Sequence, residues 1–102
     1  MRAELQAAMR DLDVVVTAGA PGEAPKMDAV PKWDVFANPS FTMPFNVSGY
    51  PAMCVCSGFG PLGLPVSVQI VGKPFRDAMV LRVADAFEKA TDFRTKRPAL
   101  VA

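Results

Sequence analysis

Proline and glycine recur so closely through the middle of this chain that residues 18–74 have room only for turns, extended loop and short strands. Pro21, Pro25, Pro31 and Pro39, with Gly19 and Gly22, forbid a long regular element over residues 18–40, which reads as one long loop. Loops of that length inside a compact domain are functional or disordered. Trp33 and Phe36 argue for an ordered covering wall, because disordered linkers are poor in aromatic residues. The block 41–51 that follows holds Pro44, Gly49 and Pro51, leaving space for a turn and one helical turn before a strand.

Regular structure is thereby confined to the flanks and to two short runs. Leu5, Ala8, Met9 and Leu12 fall at helical spacing and predict a helix over residues 3–11. The unbroken run Asp13-Val14-Val15-Val16-Thr17 predicts a strand over 13–17. A strand without polar alternation is expected to be covered on both faces, in a parallel or mixed sheet larger than this chain supplies. Residues 52–56 and 65–71 are both rich in strand formers and predict adjacent antiparallel strands, joined through the Gly-rich connection 57–64. Met79, Val80, Val83, Ala84 and Phe87 repeat with helical period and predict a helix over 75–91. Asp77 sits in its first turn, Arg76, Arg82, Asp85, Glu88 and Lys89 form the outer face, and Pro98 stops any extension. The fold class is α/β.

Charge and composition exclude several functions. Eleven basic against ten acidic residues give a net charge of +1, too balanced for a nucleic-acid-binding face. No apolar run approaches the roughly 20 residues of a membrane span, and the start of the chain carries Arg2, Glu4, Arg10 and Asp11 rather than a signal peptide, so the expected location is cytoplasmic. Half the residues are hydrophobic, 51 %, which is high for a chain of 102 residues and points to apolar surface that needs a partner, through self-association at a sheet edge or an apolar patch.

A search for catalytic chemistry returns little. Serine and cysteine nucleophiles need a base, and histidine is absent. Cys54 and Cys56 lie two apart in a strand, facing the same way and poorly placed for a disulfide; they are expected to be packed, reduced and inert. With two cysteines and no histidine, no metal site is expected. The carboxylates are scattered, and no acid/base pair stands out. Gly58-x-Gly60 with Gly63 leads into a strand rather than a helix, so it suits a hairpin better than a phosphate site. Arg94, Lys96 and Arg97 read as a solvated basic tail.

The ordered series of motifs is more informative. Thr42-x-Pro44-x-Asn46-x-x-Gly49-x-Pro51-Ala52, then Gly58, then Gly63-x-Pro65 leading to Gln69-x-x-Gly72-x-x-Phe75, and finally Ala84-x-x-Phe87-Glu88, resembles the C-terminal part of the amidase-signature enzymes. Asp13 to Thr17 with Ala24-Pro25 is similar to the strand and loop that precede this region in the family. The resemblance runs from Leu12 to about Leu100. Two positions depart from it: Cys56 stands where many members have proline, and Ser67 where many have glycine.

The resemblance implies one large mixed sheet flanked by helices, of which this chain, residues 1–102, would supply the C-terminal portion: a few strands with an N- and a C-terminal helix. It also implies hydrolysis of carboxamide bonds by a serine, a second serine in a cis peptide and a lysine base. None of those motifs occurs here, so no catalytic residue is assigned and the chain is expected to be inactive alone, corresponding to roughly the last quarter of a member. No cofactor is expected. The amide substrate would be met only together with the upstream catalytic region, with Thr42, Met43, Phe45 and Asn46 as substrate-binding residues. For Asn46, Gly49 and Pro51 the competing expectation is a tight turn held by local backbone bonds. For Met43, Phe45, Trp33 and Phe36 it is core packing. Glutamine-using members place an aspartate shortly before the threonine matched by Thr42, and Asn38-Pro39-Ser40 lacks that charge, which favours a neutral amide and a general amidase as parent. The alternative is a non-enzymatic interaction or oligomerisation module derived from the same fold, and a thiol-dependent activity at Cys54 and Cys56 is a weaker third.

Overall fold

The structure is a computed structural model that describes residues 2–31, 33 and 40–97. In chain order the elements are α1 (Arg2–Ala8), β1 (Val14–Ala18), a 3-10 turn at Met27–Ala29, α2 (Met43–Ser48), β2 (Ala52–Phe59), β3 (Pro65–Gly72), α3 (Asp77–Ala90) and a 3-10 turn at Phe93–Thr95. The three strands form one sheet in the order β1-β3-β2, with both pairings antiparallel. The hairpin of β2 and β3 is as expected. The mixed character implied by the resemblance is absent from these three strands.

Each boundary that differs from expectation has a local cause. α1 ends at Ala8 because the chain tightens there, with Arg10 N–H donating to Ala7 and Leu12 N–H to Met9. β2 runs on to Phe59 because a bulge between Cys56 and Gly58 absorbs one residue, and Gly58 holds the φ of 150° that this requires. Pro65 opens β3, where its missing N–H is tolerated. α3 begins at Asp77 rather than 75 because Phe75 has a φ of 63° and Arg76 is not helical, which also removes Arg76 from the helix face. A left-handed phenylalanine costs about 1–2 kcal/mol relative to ordinary backbone.

Two small cores lie on opposite faces of the sheet. On one, Val55 and Ile70 meet Val80 and Ala84 of α3, with Val14, Met53, Val68, Val83 and Phe87 around them. On the other, Met9, Tyr50 and Val71 pack with Leu5, Val15 and Phe45. Gly72 joins the two layers: its N–H donates to the Pro51 carbonyl at 2.9 Å, and a β-carbon there would come within 2.6 Å of Val80 Cγ2. Within this chain β1 is covered in part, Val14 and Val15 packing against the two cores. α3 packs on β2 and β3, and Val16, beyond its reach, is 59 % exposed. Cys54 is likewise exposed rather than packed, while Cys56 is half-buried; both are free thiols. Phe36 lies outside the described residues, as does Pro98.

The side chain of Glu23 fastens the long loop to the hairpin. The Glu23 carboxylate accepts N–H bonds from Leu62 at 3.2 Å and from Leu64 at 3.0 Å, and it lies over Gly60, where any side chain would displace it. Replacing Glu23 with alanine is expected to cost about 1 kcal/mol locally. Hydrogen exchange would then speed up several-fold at the Leu62 and Leu64 amides and stay unchanged at Val68 and Ile70; equal effects at all four would refute the assignment.

Candidate functional site

The block from Ser40 to Pro51 folds as a short, heavily tied helical turn. Ser40 Oγ accepts the Met43 N–H at 3.1 Å, and the Thr42 carbonyl accepts from both Phe45 and Asn46 at 3.2 Å. Pro44, in the first turn, donates no N–H and needs no partner there. The helix stops after Ser48 because Gly49 adopts the left-handed conformation, φ 78°, and returns its N–H to the Phe45 carbonyl at 2.9 Å. Tyr50 donates to the same carbonyl, and Pro51 delivers the chain into β2.

Of the four residues read as substrate-binding, two come together. Phe45 and Asn46 line a groove of about 400 Å³ with Gly49, Tyr50 and Pro51 on one side and Pro74, Phe75, Asp77 and Arg2 on the other. Thr42, half-buried, and Met43, half-exposed, do not line it. Phe45 serves two environments, since it also packs on the Met9, Tyr50 and Val71 core. Asn46 departs from the local-bonding expectation: it is exposed, and its side chain makes no hydrogen bond among the described residues. The groove thus offers an aromatic wall, a free carboxamide and one charge of each sign. Phe75 at its rim is 98 % exposed. Trp33 is also largely exposed, at 63 %.

A larger groove of about 620 Å³ lies along α1 and contains none of the four; Arg2, Arg10 and Lys73 make it cationic, and Lys73 Nζ donates to the Arg10 carbonyl at 3.0 Å. The basic run near the C-terminus is occupied locally. Arg94 lies 4.0 Å from Glu88, Lys96 lies 3.7 Å from Asp92, and Arg97 donates to the carbonyls of Arg94 and Lys96. Among the described residues no three of His, Cys, Asp and Glu converge as a metal site, and no helix is long and apolar enough to cross a membrane.

One residue behind the site, marked in the sequence as a member of the family-like motif, shows its bonding role in the folded chain. Gln69, 2 % exposed in β3, donates from Nε2 to the Phe41 carbonyl at 2.8 Å and to Thr17 Oγ1 at 3.0 Å. Its signal in the sequence is that of the lone amide side chain inside the apolar run of β3.

Comparison with known proteins agrees with this architecture. The amidase family model matches residues 1–81. A glutamyl-tRNA(Gln) amidotransferase subunit of Bacillus thuringiensis (strain Al Hakam) is 47 % identical over 66 residues, covering 65 % of this chain and 14 % of that protein. The protein of the same name from Bacillus cereus (strain B4264) matches equally. The crystal structure of the like-named protein from Thermotoga maritima superposes with a TM-score of 0.81 at 34 % identity, covering 89 % of this chain and 20 % of that one. The chain therefore spans about a seventh of the length of the curated relatives it matches, and its three antiparallel strands and helices correspond to a portion of the Thermotoga fold. Asn38-Pro39-Ser40, on which the general-amidase parent rests, lies partly outside the described residues. With its motif block, its fold and most of its length matched in this way, the chain belongs to the amidase family.

Proposed function

We propose that this chain supplies the C-terminal, sheet-completing and pocket-flanking part of an amidase that hydrolyses a carboxamide C–N bond. A serine, a cis-serine and a lysine on amidase sequence outside these residues carry the chemistry. The observation that carries this reading is the asymmetry of the fold match, which takes in 89 % of this chain and 20 % of the Thermotoga chain. The surface supports it: among the described residues β1 and β2 are each paired on one side only, and Phe75 and Val16 stand exposed beside the grooves and the sheet edge. In this reading Phe45 and Asn46, which line the groove, face the amide, Asn46 offering a free donor and acceptor to it, and Thr42 and Met43 flank them.

Two substrates are in view. The uncharged segment before Thr42 favours a neutral amide, whereas the name of the relatives at 47 % identity favours the side-chain amide of glutamine. Mixing the 102-residue chain with a separately produced amidase segment bearing the two serines and the lysine tests both, with ammonia release from a simple aliphatic amide and from glutamine as the readout. The expected result is release from the mixture, faster with the neutral amide, and none from either piece alone. Hydrolysis by the 102-residue chain alone, or an inert mixture, would overturn the reading. Light scattering on the chain alone tests the competing use of its edges by a second copy: a concentration-dependent dimer would favour it, and a monomer would dismiss it.

A further inference from the structure

We propose that Gln69 is the positioning residue that sets the amide-facing block, acting through the carbonyl of Phe41. The proposal rests on the reading of Thr42 to Asn46 as pocket-flanking, and it adds a residue and a mode of action to it. Three observations carry it. Gln69 is almost wholly buried in the central strand, where an amide side chain is costly unless its hydrogens are taken up. Nε2 meets two acceptors, one on β1 and one on the backbone immediately before Thr42. The Phe41 carbonyl is the last fixed point before α2, whose own ties all run inward: Ser40 to Met43, Thr42 to Phe45 and Asn46, and Gly49 to Phe45.

The division of labour follows from geometry. The internal bonds of α2 define its shape and leave its placement on the sheet free. Phe45 packing on the core that contains Val71 fixes one side of the turn, and the Gln69 bond to Phe41 fixes its entry. Both anchors lie on β3, two residues apart on the same face. Thr17 sits opposite Gln69 in the β1–β3 register and takes the second hydrogen, which holds the carboxamide in the rotamer that reaches Phe41. Gln69 thus orients Asn46 without approaching the substrate.

The test uses hydrogen exchange on the 102-residue chain, with Gln69→Met as the shape-matched variant and Thr17→Val as the control that removes only the β1 acceptor. Gln69→Met is expected to speed exchange at the Phe45 and Asn46 amides about tenfold, as loss of one buried bond implies, while Val80 and Ala84 in α3 keep their protection. Thr17→Val should change Phe45 and Asn46 far less. Should Gln69→Met fail to fold, Gln69→Leu supplies the same comparison, since it fills most of the space with an apolar side chain and donates nothing. Faster exchange spread evenly over α2 and α3 would reduce Gln69 to a general stabiliser and overturn the proposal. In the mixture with the catalytic segment, Gln69→Met should raise KM severalfold at nearly constant kcat; a fall in kcat with KM unchanged would also refute it. An inert mixture would count against the functional reading alone, with the exchange pattern still deciding the role of Gln69.

Discussion

Ile70→Ala is expected to unfold this chain or bring it to the margin. Ile70 is 2 % exposed and forms the centre of the core shared with Val55, Val80 and Ala84. Truncating a buried isoleucine to alanine costs about 2–5 kcal/mol through lost transfer free energy and the cavity left behind. Domains of this size have total stabilities of about 5–15 kcal/mol, and a core this small belongs at the low end. Urea unfolding followed by circular dichroism would show the midpoint falling sharply or the transition disappearing. Val16→Thr on the same face of the sheet is the matched control. Val16 pairs with Ile70 across the β1–β3 ladder but is 59 % exposed, so its substitution should stay within about half a kcal/mol. Comparable losses for the two variants would mean that Val16 is covered in solution, and that a second chain or a further segment lies over β1.

The second large effect is steric. A β-carbon on Gly72 would lie 2.6 Å from Val80 Cγ2 and 3.4 Å from the Arg76 carbonyl, and Val80 is itself buried at 3 % exposure. Gly72→Ala is expected to destabilise by about 1–3 kcal/mol, since the crowded methyl groups have nowhere to relax. Val80→Ala alone should also destabilise, by opening a cavity. Because the first change inserts a methyl group beside Cγ2, one of the two methyl groups that the second removes, the double variant should be more stable than the sum of the single losses predicts, by at least about 0.5 kcal/mol in a double-mutant cycle. Simple additivity would show that α3 moves as a body to accommodate Gly72→Ala, and that the Gly72–Val80 contact does not set the helix spacing.

Much of the fold was legible because it is written in side-chain periodicity. Met79, Val80, Val83, Ala84 and Phe87 point to α3 directly, and the same five positions carry its buried or half-buried face. The β2–β3 hairpin follows from two strand-forming runs with glycine between them. What escapes the sequence belongs to the backbone. The left-handed Phe75 delays α3, and the bulge at Gly58 extends β2, and neither leaves a mark in a pattern of apolar residues. The partial coverage of β1 within this chain has a different reason. An apolar run reports the environment a strand is suited to, and α3 is placed chiefly over β2 and β3, with Val14 the residue of β1 that packs against its core.

The candidate site was legible in half. The motif from Thr42 to Ala52 identifies the block, but its hydrogen bonds, the groove and the residues opposite could not be read from local spacing. Asn46 shares a groove with Phe75 and Asp77 because Gly72 and Pro51 bring the end of β3 beside the start of β2. Gln69 and Glu23 act across 28 and 39 residues of sequence respectively. Links of that kind appear only when the topology is known.

The strand order has a consequence for the making of the chain. β3, which lies between the other two, is the last of the three to be synthesised. β1 and β2 share no ladder, so every strand emerging from the ribosome before Pro65 has no partner within this segment. No part of the sheet can assemble until Pro65 has been added; β2 can then pair from Phe59 and Pro65 onward, whereas β1 finds its first partner only at Val68. Nascent protein stalled anywhere upstream of β3 presents two unpaired apolar strands, the state in which holding chaperones or neighbouring amidase sequence have most to cover.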